Sequence, residues 1–354
     1  MRILELIPTL KVGGAETFVV NITNAFAANG HECEVVTLFD VDDGDFLAQR
    51  LDAKISLISL DKAKGFDFKC LCNVVRAIKK YKPDIVHAHI GAISYLLLAV
   101  IFYRHCKYFA TIHSEANREA GGILTKTIRK ILFKLKLVIP VTISKESMLS
   151  FEKLYVMTPD MICNGVPEVE VIAGEDYDKL VFIHPASCQP IKNQVLLFKA
   201  FSELAQQNTN VELHWFGDHS QYETLFNELS SLFGDKIIYK GVTQDVRKYL
   251  KNARAMCLSS IMEGMPMTII EAMSVGCIPI ATPVGGCINM IEDKVNGFLS
   301  ADMSTEAYYE VLKKAATISD EELNKMRKSA RNTYEQKYTI DKTALEYINL
   351  FTHR

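Results

Sequence analysis

The sequence lacks any apolar segment long enough to cross a lipid bilayer. Its longest apolar run, Tyr95 to Tyr103, falls far short of the roughly 20 residues that a membrane-spanning helix needs. The first residues, Met1 to Glu5, enter a short apolar strand at once, and no basic segment followed by a long apolar one precedes it. This start predicts no signal peptide. We therefore expect a cytoplasmic protein, soluble or peripheral on the inner face of the cell membrane.

The sequence also lacks an excess of positive charge and a regular cysteine pattern. Its formal net charge of −2 argues against bulk attraction to nucleic acid. Its nine cysteines are an odd number, and several lie within apolar runs such as Ala255–Leu258. This usage fits reduced, buried thiols better than a disulfide framework. Cys70 and Cys72 have no second pair at zinc-site spacing, so no zinc site is predicted there.

What the sequence does contain is a regular alternation of short apolar runs with longer helical patterns such as Glu16–Asn29. Such alternation predicts parallel strands joined by crossover helices, hence an α/β fold with doubly wound sheets. A length of 354 residues with 49% hydrophobic residues suggests two domains with substantial cores. The predicted strands form two series: Ile3–Ile7, Cys33–Phe39, Ile85–His89, Phe109–His113 and Leu137–Ile143, then Leu180–His184, Val211–Phe216, Lys236–Tyr239, Ala255–Leu258 and Ile278–Ala281.

A segment between the two strand series reads as an interdomain linker. Residues 164–178 contain glycine, proline and five acidic residues, a composition that suits an exposed connection. We accordingly predict an N-terminal domain at residues 1–165, a linker at 166–179 and a C-terminal domain at 180–335. Residues 336–354 are predicted to form a C-terminal helix that packs back on the N-terminal domain.

A loop and a helix start follow the strand Ala255–Leu258 and predict an anion site. Gly264 lets the backbone approach a ligand closely. Pro266 suits the first helical positions because its missing N–H would have no intrahelical partner there. The free N–H groups of Met267 and Thr268, with the helix dipole behind them, would bind a diphosphate.

One carboxylate stands on each side of this helix start, Glu263 before it and Glu271 in its second turn. A nucleoside-diphosphate sugar has hydroxyls on both sides of its diphosphate, on the sugar and on the ribose. Carboxylates are good acceptors for hydrogen bonds from such hydroxyls. The spacing therefore matches a nucleoside-diphosphate sugar.

The segment EGMPMTIIEAMSVGCIPIATPVGG at 263–286 resembles the retaining glycosyltransferases of family 4, the glycosyl transferases group 1. Val295–Phe298, Tyr239–Val242 and Val246–Ala253 belong to the same pattern, and the resemblance covers most of the chain. It implies the GT-B fold, in which two Rossmann-like domains face a central cleft. The N-terminal domain would bind the acceptor and the C-terminal domain the donor. It also implies a hexosyltransferase-type enzyme that acts with retention and without a metal or other cofactor.

Within that family the first glutamate contacts the donor sugar and the second the ribose hydroxyls, which assigns these roles to Glu263 and Glu271. Backbone near Gly241 and Val242 would receive the base. The resemblance, together with the residues discussed below, gives a predicted donor site made of Gly13, Gly14, Ser187, Gly241, Val242, Gly264, Met265, Pro266, Met267, Thr268 and Glu271. The predicted catalytic residues are His113, Lys192 and Glu263.

Lys192 lies near a predicted helix N-terminus, where it would neutralise charge on the departing diphosphate. The family normally carries an arginine five residues before this lysine, and this sequence has Ser187 there. Either backbone N–H groups and Lys192 suffice, or another cation such as Lys11 compensates.

Two glycines between the first strand and the first helix, Gly13 and Gly14, permit close approach of backbone to a phosphate. The loop is not a GxGxxG fingerprint, which disfavours NAD binding. It resembles the GGAE loop of the family, where glycine N–H groups approach the donor phosphate, and an ordinary strand–helix turn is the alternative. Glu16 is predicted to contribute to the acceptor site.

Histidines end two neighbouring strands of the first domain, His87 and His89 on one and His113 on the other. The carboxyl ends of parallel strands face the ligand crevice of such folds. The resemblance assigns His113 to the donor sugar and His89 to the acceptor side. Hydrogen-bonded core histidines are the alternative for His87 and His89. A zinc site from the three rings is conceivable, but the fold does not need one, and no metal is predicted.

The segment 125–136 is basic and amphipathic and contains no acidic residue. This composition suits contact with an anionic membrane surface. Family members that act on lipid-linked acceptors use this part of the first domain similarly. An ordinary solvated helix that packs its isoleucine and leucine residues on the sheet is the alternative.

Together these features predict transfer of a sugar from a nucleoside-diphosphate sugar to a hydroxyl of a lipid-linked glycan, in the biosynthesis of a surface polysaccharide such as a capsule or an O-antigen. Because no side chain is an obvious nucleophile on the sugar face, the acceptor hydroxyl would attack from the side of the departing diphosphate. A sugar-nucleotide epimerase of the same fold and a catalytically weak sugar-nucleotide-binding protein remain as alternatives. The donor sugar, its base and the acceptor depend on pocket walls that these motifs do not encode.

Overall fold

The computed structural model describes residues 1–11, 13–42, 45–169, 173–231 and 234–354. The chain divides into two compact units. Unit 1 comprises Met1–Pro167 and Ile340–Arg354, and unit 2 comprises Glu168–Thr339. Each unit contains one parallel sheet flanked by helices, so the predicted fold of two Rossmann-like domains is confirmed. Among the described helices, none has the length and apolar character needed to traverse a bilayer.

Unit 1 is built on the strands β1 (Arg2–Ile7), β2 (Glu32–Thr37), β3 (Ser56–Ser59), β4 (Ile85–His89), β5 (Lys107–Ile112), β6 (Ile139–Thr142) and β7 (Asp160–Met161). In the described part of the chain they form a parallel sheet in the order β3-β2-β1-β4-β5-β6-β7. Central strands of such a sheet are covered on both faces, which explains their near-continuous apolar runs. In β1, Ile3, Leu4, Leu6 and Ile7 are all fully buried.

The helices of the first part of unit 1 are α1 (Gly14–Ala28), α2 (Phe68–Tyr81), α3 (Ala99–Phe102), α4 (Ala116–Glu119), α5 (Ile123–Lys134) and α6 (Lys145–Tyr155). Helix α2 begins where the sequence provides a cap, because the Asp67 carboxylate accepts from the backbone N–H groups of Lys69 at 2.8 Å and Cys70 at 3.2 Å. It ends at Lys82, which adopts a left-handed conformation with φ of 55°.

Unit 2 contains the strands β8 (Leu180–Pro185), β9 (Val211–Phe216), β10 (Ile237–Tyr239), β11 (Ala255–Leu258), β12 (Pro279–Ala281) and β13 (Phe298–Leu299). They form a second parallel sheet in the order β10-β9-β8-β11-β12-β13 within the described residues. Its helices are α7 (Gln194–Gln207), α8 (Glu223–Ser230), α9 (Arg247–Leu250), α10 (Met267–Ser274), α11 (Cys287–Met290), α12 (Thr305–Thr317) and α13 (Asp320–Lys337). Because β8 lies between β9 and β11, the loops that follow these three strands meet at one edge.

The last helix, α14 (Ile340–His353), returns to unit 1 and packs against α1. Its backbone begins with a hydrogen bond from the Ile340 N–H to the Val166 carbonyl at 3.0 Å. The rings of Tyr347 and Phe351 pack on Phe26 of α1, with centroids 6.5 and 5.8 Å away. These aromatic contacts are buried, so α14 completes the core of unit 1.

Three strands of the sheets were not predicted: β3, β7 and β13. Each lies at or next to the edge of its sheet, and two of them contain only two residues. Short edge strands carry little apolar patterning because one side of the backbone has no partner strand. The ten predicted strands all appear, with ends that differ by up to two residues.

Candidate active site

Lys192 and Glu263 form an ion pair at the carboxyl edge of the sheet in unit 2. Lys192 ends a short 3₁₀ turn after β8, and Glu263 lies in the loop after β11. The Lys192 Nζ donates to Glu263 Oε1 at 2.8 Å. The two side chains are 24% and 10% exposed, so the pair lies within the surface of the unit and remains open to one side. Adjacent pairing of β8 with β11 brings these distant positions together.

Two serines fix the geometry of this ion pair. The Ser260 hydroxyl donates to Glu263 Oε1 at 2.5 Å. The Ser259 hydroxyl donates to the backbone carbonyl of Lys192 at 2.8 Å, and the Ile261 N–H donates to the Ile191 carbonyl at 2.8 Å. Both serines are fully buried. The loops that carry the lysine and the glutamate are therefore held together through backbone and side chains, which pre-organises the charged groups.

The loop that follows β12 packs closely against the backbone of Glu263. The Gly286 N–H donates to the Gly264 carbonyl at 3.0 Å. A Cβ atom added at Gly285 would lie 1.8 Å from the Glu263 carbonyl oxygen, and the φ of Gly285 is +47°. Only glycine avoids this contact, because it has no Cβ, and adopts this positive φ without strain. The Gly-Gly dipeptide thus fixes the position of the Glu263 loop from the side of β12.

Helix α10 begins directly after this loop, with Pro266 at its N-cap and no side-chain hydrogen bond to the cap. The backbone N–H groups of Met267 and Thr268 are the ones that a helix of this kind leaves without intrahelical partners. Met265, Pro266 and Met267 are buried, while Glu271 is half-buried on the next turn. The helix start is therefore a short polar feature within apolar surroundings, which strengthens its attraction for an anion.

Arg247 of α9 lies close enough to α10 for the Glu271 carboxylate to act on its charge. Its guanidinium makes two hydrogen bonds of 2.8 Å with the Asp245 carboxylate. Burial lowers the pKa of Arg247, but its hydrogen bonds to Asp245 and the charges of Asp245 and Glu271 outweigh this effect and raise the pKa. The arginine therefore adds a fixed positive charge on the side of α10 where Glu271 lies.

Ser187, which stands where the family has an arginine, is part of a polar turn. Its hydroxyl accepts from Gln189 Nε2 at 3.0 Å, and its carbonyl accepts from Gln194 Nε2 at 2.9 Å. The loop after β10 approaches the same edge, where Gly241 has a φ of +77° and Val242 is exposed. Lys11, the other cation considered, belongs to unit 1 and lies 3.8 Å from Asp42 Oδ2.

In unit 1 the predicted histidines meet a buried glutamate that the sequence did not indicate. His89 Nδ1 lies 2.9 Å from His113 Nε2, and His89 Nε2 lies 2.6 Å from Glu5 Oε2. His87 Nδ1 lies between the two oxygens of Glu5, 3.1 Å from Oε2 and 3.2 Å from Oε1, and its Nε2 lies 2.7 Å from the Thr111 hydroxyl. Four charged or titratable side chains, carried by β1, β4 and the residue after β5, thus form one network.

Burial shifts the titration of this network. It lowers the pKa of His89 to about 4 and that of His113 well below its ordinary value. For Glu5, burial alone would raise the pKa, but the charge of His87 and hydrogen bonds from His87 and His89 outweigh it and lower the pKa to about 2. The stable arrangement near neutral pH is an ionised Glu5 beside neutral His89 and His113.

The same network contains the group most suited to a metal ion in the described part of the chain. One ligand atom each from Glu5, His87 and His89 lie within 4.8 Å of one another. In the structure these atoms are hydrogen-bonded to one another, and each ring nitrogen of both histidines has a partner. Both histidines thus match the alternative of satisfied core histidines, and His89 also contacts His113.

The loop of unit 1 that contains Gly13 and Gly14 lies beside the carboxylate of Glu16. Gly13 is the N-cap of α1, with extended backbone and no side-chain cap. A Cβ added there would lie 2.2 Å from Glu16 Oε2, so the glutamate folds back over the glycine. Burial raises the pKa of Glu16. Gly14 is exposed, and Val12 of this loop lies outside the described residues.

The segment 125–136 divides into a buried and an exposed face of α5 and the residues that follow it. Ile128, Leu132 and Phe133 are buried in the core, as the solvated-helix alternative expects. Arg129 is also buried, where it bonds Glu119 at 3.4 Å, so it does not belong to a basic outer surface. The outer face still combines apolar and basic residues: Ile123, Leu124, Lys130, Ile131, Lys134, Leu135 and Lys136 are exposed.

Sequence reasoning missed three groups that shape these sites: Glu5, Ser260 and Arg247. Glu5 interrupts the apolar run of β1, and a charge inside a strand buried on both faces was the available signal. Ser260 is the second residue after the apolar strand β11, in the position where binding residues often lie at a carboxyl edge. Arg247 had no local signal, because its role depends on how α9 and α10 pack.

Both units of the chain match models of known protein families. The model of the glycosyl transferases group 1 matches residues 167–333, and that of glycosyltransferase family 4 matches residues 12–168. A UDP-Gal:alpha-D-GlcNAc-diphosphoundecaprenol alpha-1,3-galactosyltransferase of Escherichia coli is 25% identical over 341 residues, which cover 87% of this chain and 84% of the relative.

A second relative and a solved structure extend the comparison. The GalNAc-alpha-(1->4)-GalNAc-alpha-(1->3)-diNAcBac-PP-undecaprenol alpha-1,4-N-acetyl-D-galactosaminyltransferase of Campylobacter jejuni is 23% identical over 315 residues, 84% of either chain. The structure of Anabaena HepE in complex with UDP covers all of both chains with a TM-score of 0.81 at 18% identity. The two family models together span residues 12–333, and they match the two units that the fold itself separates. The chain belongs to the group 1, family 4 glycosyltransferases of the GT-B fold.

Proposed function

We propose that this glycosyltransferase moves a hexose-type sugar from a nucleoside-diphosphate sugar to a hydroxyl acceptor, with retention at the anomeric carbon and without a metal. The observation that carries the proposal is the Lys192–Glu263 ion pair beside the uncapped start of α10. A cation, a carboxylate and free backbone N–H groups in one place match a diphosphate with a sugar attached.

Lys192 can serve the diphosphate without leaving Glu263. An ammonium group has three N–H donors, and the ion pair uses one of them. The remaining donors are available for phosphate oxygens, with Met267 and Thr268 N–H groups nearby on α10. This cation stabilises the charge that develops on the departing diphosphate, a contribution that Ser187 cannot make.

Glu263 and Glu271 act as a clamp for hydroxyl groups in this proposal. Glu263 Oε1 accepts from Lys192 and Ser260, which leaves Oε2 to accept from a sugar hydroxyl. Glu271 lies one helical turn beyond the phosphate position and takes the ribose hydroxyls. The positive charge of Arg247 on α9 supports that carboxylate.

The proposed reaction mechanism follows from the hydrogen bonds that Glu263 already accepts. A carboxylate that already accepts two hydrogen bonds on one oxygen is a weak nucleophile, which favours attack by the acceptor hydroxyl itself. The new bond to the anomeric carbon forms on the face where the bond to the diphosphate oxygen breaks. The hydroxyl proton passes to the departing diphosphate, whose negative charge Lys192 and α10 stabilise.

For the acceptor we propose a lipid-linked glycan in the assembly of a surface polysaccharide such as a capsule or an O-antigen. The names of the relatives from E. coli and C. jejuni both specify a diphosphoundecaprenol-linked glycan. The exposed face of α5 supports a peripheral position on the inner face of the cell membrane. Ile123 and Leu124 are 87% and 52% exposed, with lysines further along the same helix.

A panel of nucleotide sugars tests the proposal. UDP-sugars come first because the E. coli relative is named for UDP-Gal and the Anabaena structure contains UDP. Binding raises the unfolding temperature by mass action, so a thermal-shift screen against UDP-, GDP- and ADP-sugars identifies the donor. The proposal requires release of nucleoside diphosphate that depends on an acceptor. Conversion of the donor to its epimer without acceptor, or binding without turnover, would instead favour the epimerase or the weak sugar-nucleotide-binding protein.

A further inference from the structure

Lys192 lies in a short turn of unit 2 that joins the end of β8 to the start of α7. The turn contains the 3₁₀ helix Pro190–Lys192, and Asn193 follows it as the N-cap of α7. Asn193 has a left-handed backbone, with φ of 50° and ψ of 46°. Few residues other than glycine adopt this conformation, and asparagine is among those that adopt it most readily. One residue of unusual conformation therefore stands directly between Lys192 and α7.

Side-chain and backbone hydrogen bonds hold both ends of this turn. Gln194, the first residue of α7, is only 2% exposed, and its Nε2 donates to the Ser187 carbonyl at 2.9 Å. The Lys192 N–H donates to the Gln189 carbonyl, also at 2.9 Å. Because the ends are held, the left-handed dihedral angles of Asn193 are what allow Lys192 and α7 to occupy their positions at the same time.

The loop after β11 fixes the position of Lys192 from the other side. The Ser259 hydroxyl donates to the Lys192 carbonyl at 2.8 Å, and the Ile261 N–H donates to the Ile191 carbonyl at 2.8 Å. The Lys192 Nζ donates to Glu263 Oε1, again at 2.8 Å. A right-handed residue at position 193 would change the path of the chain, and either these three contacts or the packing of α7 would be lost.

Helix α7 is not free to move in response. Leu197, Phe198 and Phe201 of this helix are fully buried in the core of unit 2, and close-packed cores resist displacement. The turn that carries Lys192 is partly exposed, so it is the part that would shift. The side chain of Asn193 makes no capping hydrogen bond to α7. The backbone conformation of Asn193, rather than a contact of its amide, therefore links α7 to Lys192.

We propose that Asn193 is a positioning residue for Lys192: its left-handed backbone holds the Lys192 ammonium group against Glu263, in the place from which it stabilises the departing diphosphate. The inference rests on the proposed function, which gives Lys192 that task. Because Asn193 acts through its conformation, glycine can replace it and alanine cannot. Both substitutions remove the amide, and they differ in the cost of a left-handed backbone, which is low for glycine and high for alanine.

The first experiment reads the position of Lys192 without any activity assay. Crystal structures of Asn193→Gly and Asn193→Ala, both without ligand, show the contact between Lys192 Nζ and Glu263 Oε1 directly. The expected result is that the glycine variant keeps this contact and the alanine variant loses or lengthens it. The same contact in both variants would overturn the proposal.

The second experiment is a double-mutant cycle in kcat between Asn193 and Lys192. Asn193→Ala should lower kcat about fivefold to thirtyfold with little change in KM, whereas Asn193→Gly should keep most of kcat. In a Lys192→Ala background the charge to be positioned is absent, so Asn193→Ala should then lower kcat by less than about twofold. The proposal fails if Asn193→Ala has the same effect in both backgrounds, or if the glycine and alanine variants lose kcat equally.

Gly30→Ala is the matched control for a strained backbone. Gly30 belongs to unit 1, has a φ of +80°, and has open space where a Cβ would lie. The substitution therefore places an alanine in the same left-handed region without a clash and away from Lys192. It should lower the stability of the protein to urea and leave kcat unchanged. A loss of kcat as large as that of Asn193→Ala would show a general effect of strain and overturn the positioning role.

Failure of the proposed function is distinguishable from failure of this inference. If the wild-type protein turns over no nucleotide sugar, the proposed function is wrong, while the comparison of the two crystal structures still tests whether Asn193 positions Lys192. If sugar transfer occurs but Asn193→Ala keeps both the contact with Glu263 and the wild-type kcat, only the positioning role of Asn193 is wrong.

Discussion

Lys192 Nζ lies 2.8 Å from Glu263 Oε1, although 71 residues separate the two in the sequence. The adjacent strands β8 and β11 bring together the loops that carry these residues. Ser260 binds the side chain of Glu263, and Ser259 binds the backbone carbonyl of Lys192. The pair joins the position proposed for phosphate charge to the position proposed for the sugar. The predictions below begin with its two members.

Replacing Lys192 by alanine should lower kcat by roughly 100- to 1,000-fold, because one fixed charge that stabilises the departing diphosphate is lost. Steady-state kinetics with the identified donor measure this effect. Lys199→Ala is the matched control, since Lys199 lies on the exposed side of the following helix. Equal activity of Lys192→Ala and Lys199→Ala would show that Lys192 has no role in catalysis.

Glu263→Gln keeps the size of the side chain but removes its charge, so the ion pair with Lys192 and the strongest sugar contact are both lost. We expect kcat/KM to fall by about tenfold to a hundredfold, as for loss of a hydrogen bond to a charged group of about 1.5–3 kcal/mol. Glu203→Gln, an exposed glutamate on α7, controls for the loss of charge itself. Unchanged kinetics for Glu263→Gln would remove this residue from the site.

Gly285→Ala should distort the Glu263 loop. The added Cβ would lie 1.8 Å from the Glu263 carbonyl oxygen, at a φ of +47° that alanine adopts only with strain. We expect a loss of about 1–3 kcal/mol in the free energy of unfolding, together with reduced activity. Gly234→Ala has open space around the added atom and should change neither. Urea denaturation and donor turnover of the two variants compare them directly, and similar values for both would contradict the close packing of this loop.

The stability of unit 1 should fall as the pH falls from 7 to 4.5. His89 has a folded-state pKa of about 4 against an ordinary 6.5, and Glu5 one of about 2 against 4.5. Both groups therefore bind protons more readily in the unfolded chain, which favours unfolding as the pH decreases through these windows. Glu119, whose pKa burial raises, acts in the opposite direction.

Urea denaturation at pH 7 and pH 4.5 measures this dependence on pH. His89→Phe lacks one of the contributing groups, so its stability should change less between the two pH values than that of the wild-type protein. A wild-type protein that is equally stable or more stable at pH 4.5 would contradict the description of His89 as a neutral, buried histidine.

The exposed apolar side chains of α5 and of Leu135 directly after it should govern binding to anionic vesicles. Burying one leucine side chain contributes about 1.5–3 kcal/mol, and each lysine near an anionic surface about 1 kcal/mol. Leu124→Ser combined with Leu135→Ser should therefore weaken cosedimentation at least about tenfold at low salt. Leu345→Ser changes a similarly exposed leucine on α14 and should have little effect. Equal binding by both variants would place any membrane contact elsewhere.

The sequence was most informative where pattern and topology act together. Alternating apolar runs predicted the parallel sheets, and the rule that ligands lie at the carboxyl ends of parallel strands grouped His89 with His113. The resemblance to family 4 assigned Lys192 and Glu263 to the same reaction. The direct Lys192–Glu263 contact could not be predicted, because it depends on the register of β8 against β11 and on side-chain rotamers. These are properties of the packed unit.

Buried charge was the least predictable feature. Glu5 and Arg129 are of residue types that usually lie on the surface. In this structure Glu5 is buried beside His89, and Arg129 is buried beside Glu119. Burial of such groups is stable only because the partner is present, and the partner is selected by tertiary packing. The number of exposed positive charges predicted for residues 125–136 was therefore too high by one, that of Arg129.

The most direct test of the proposed reaction is the release of nucleoside diphosphate from the identified donor, with and without a diphosphoundecaprenol-linked glycan, by the wild-type protein and by Glu263→Gln. We predict release that depends on the acceptor, a glycan product with the anomeric configuration of the donor, and a fall of at least about tenfold in the variant. Release that is independent of the acceptor, or that Glu263→Gln leaves unchanged, would contradict it.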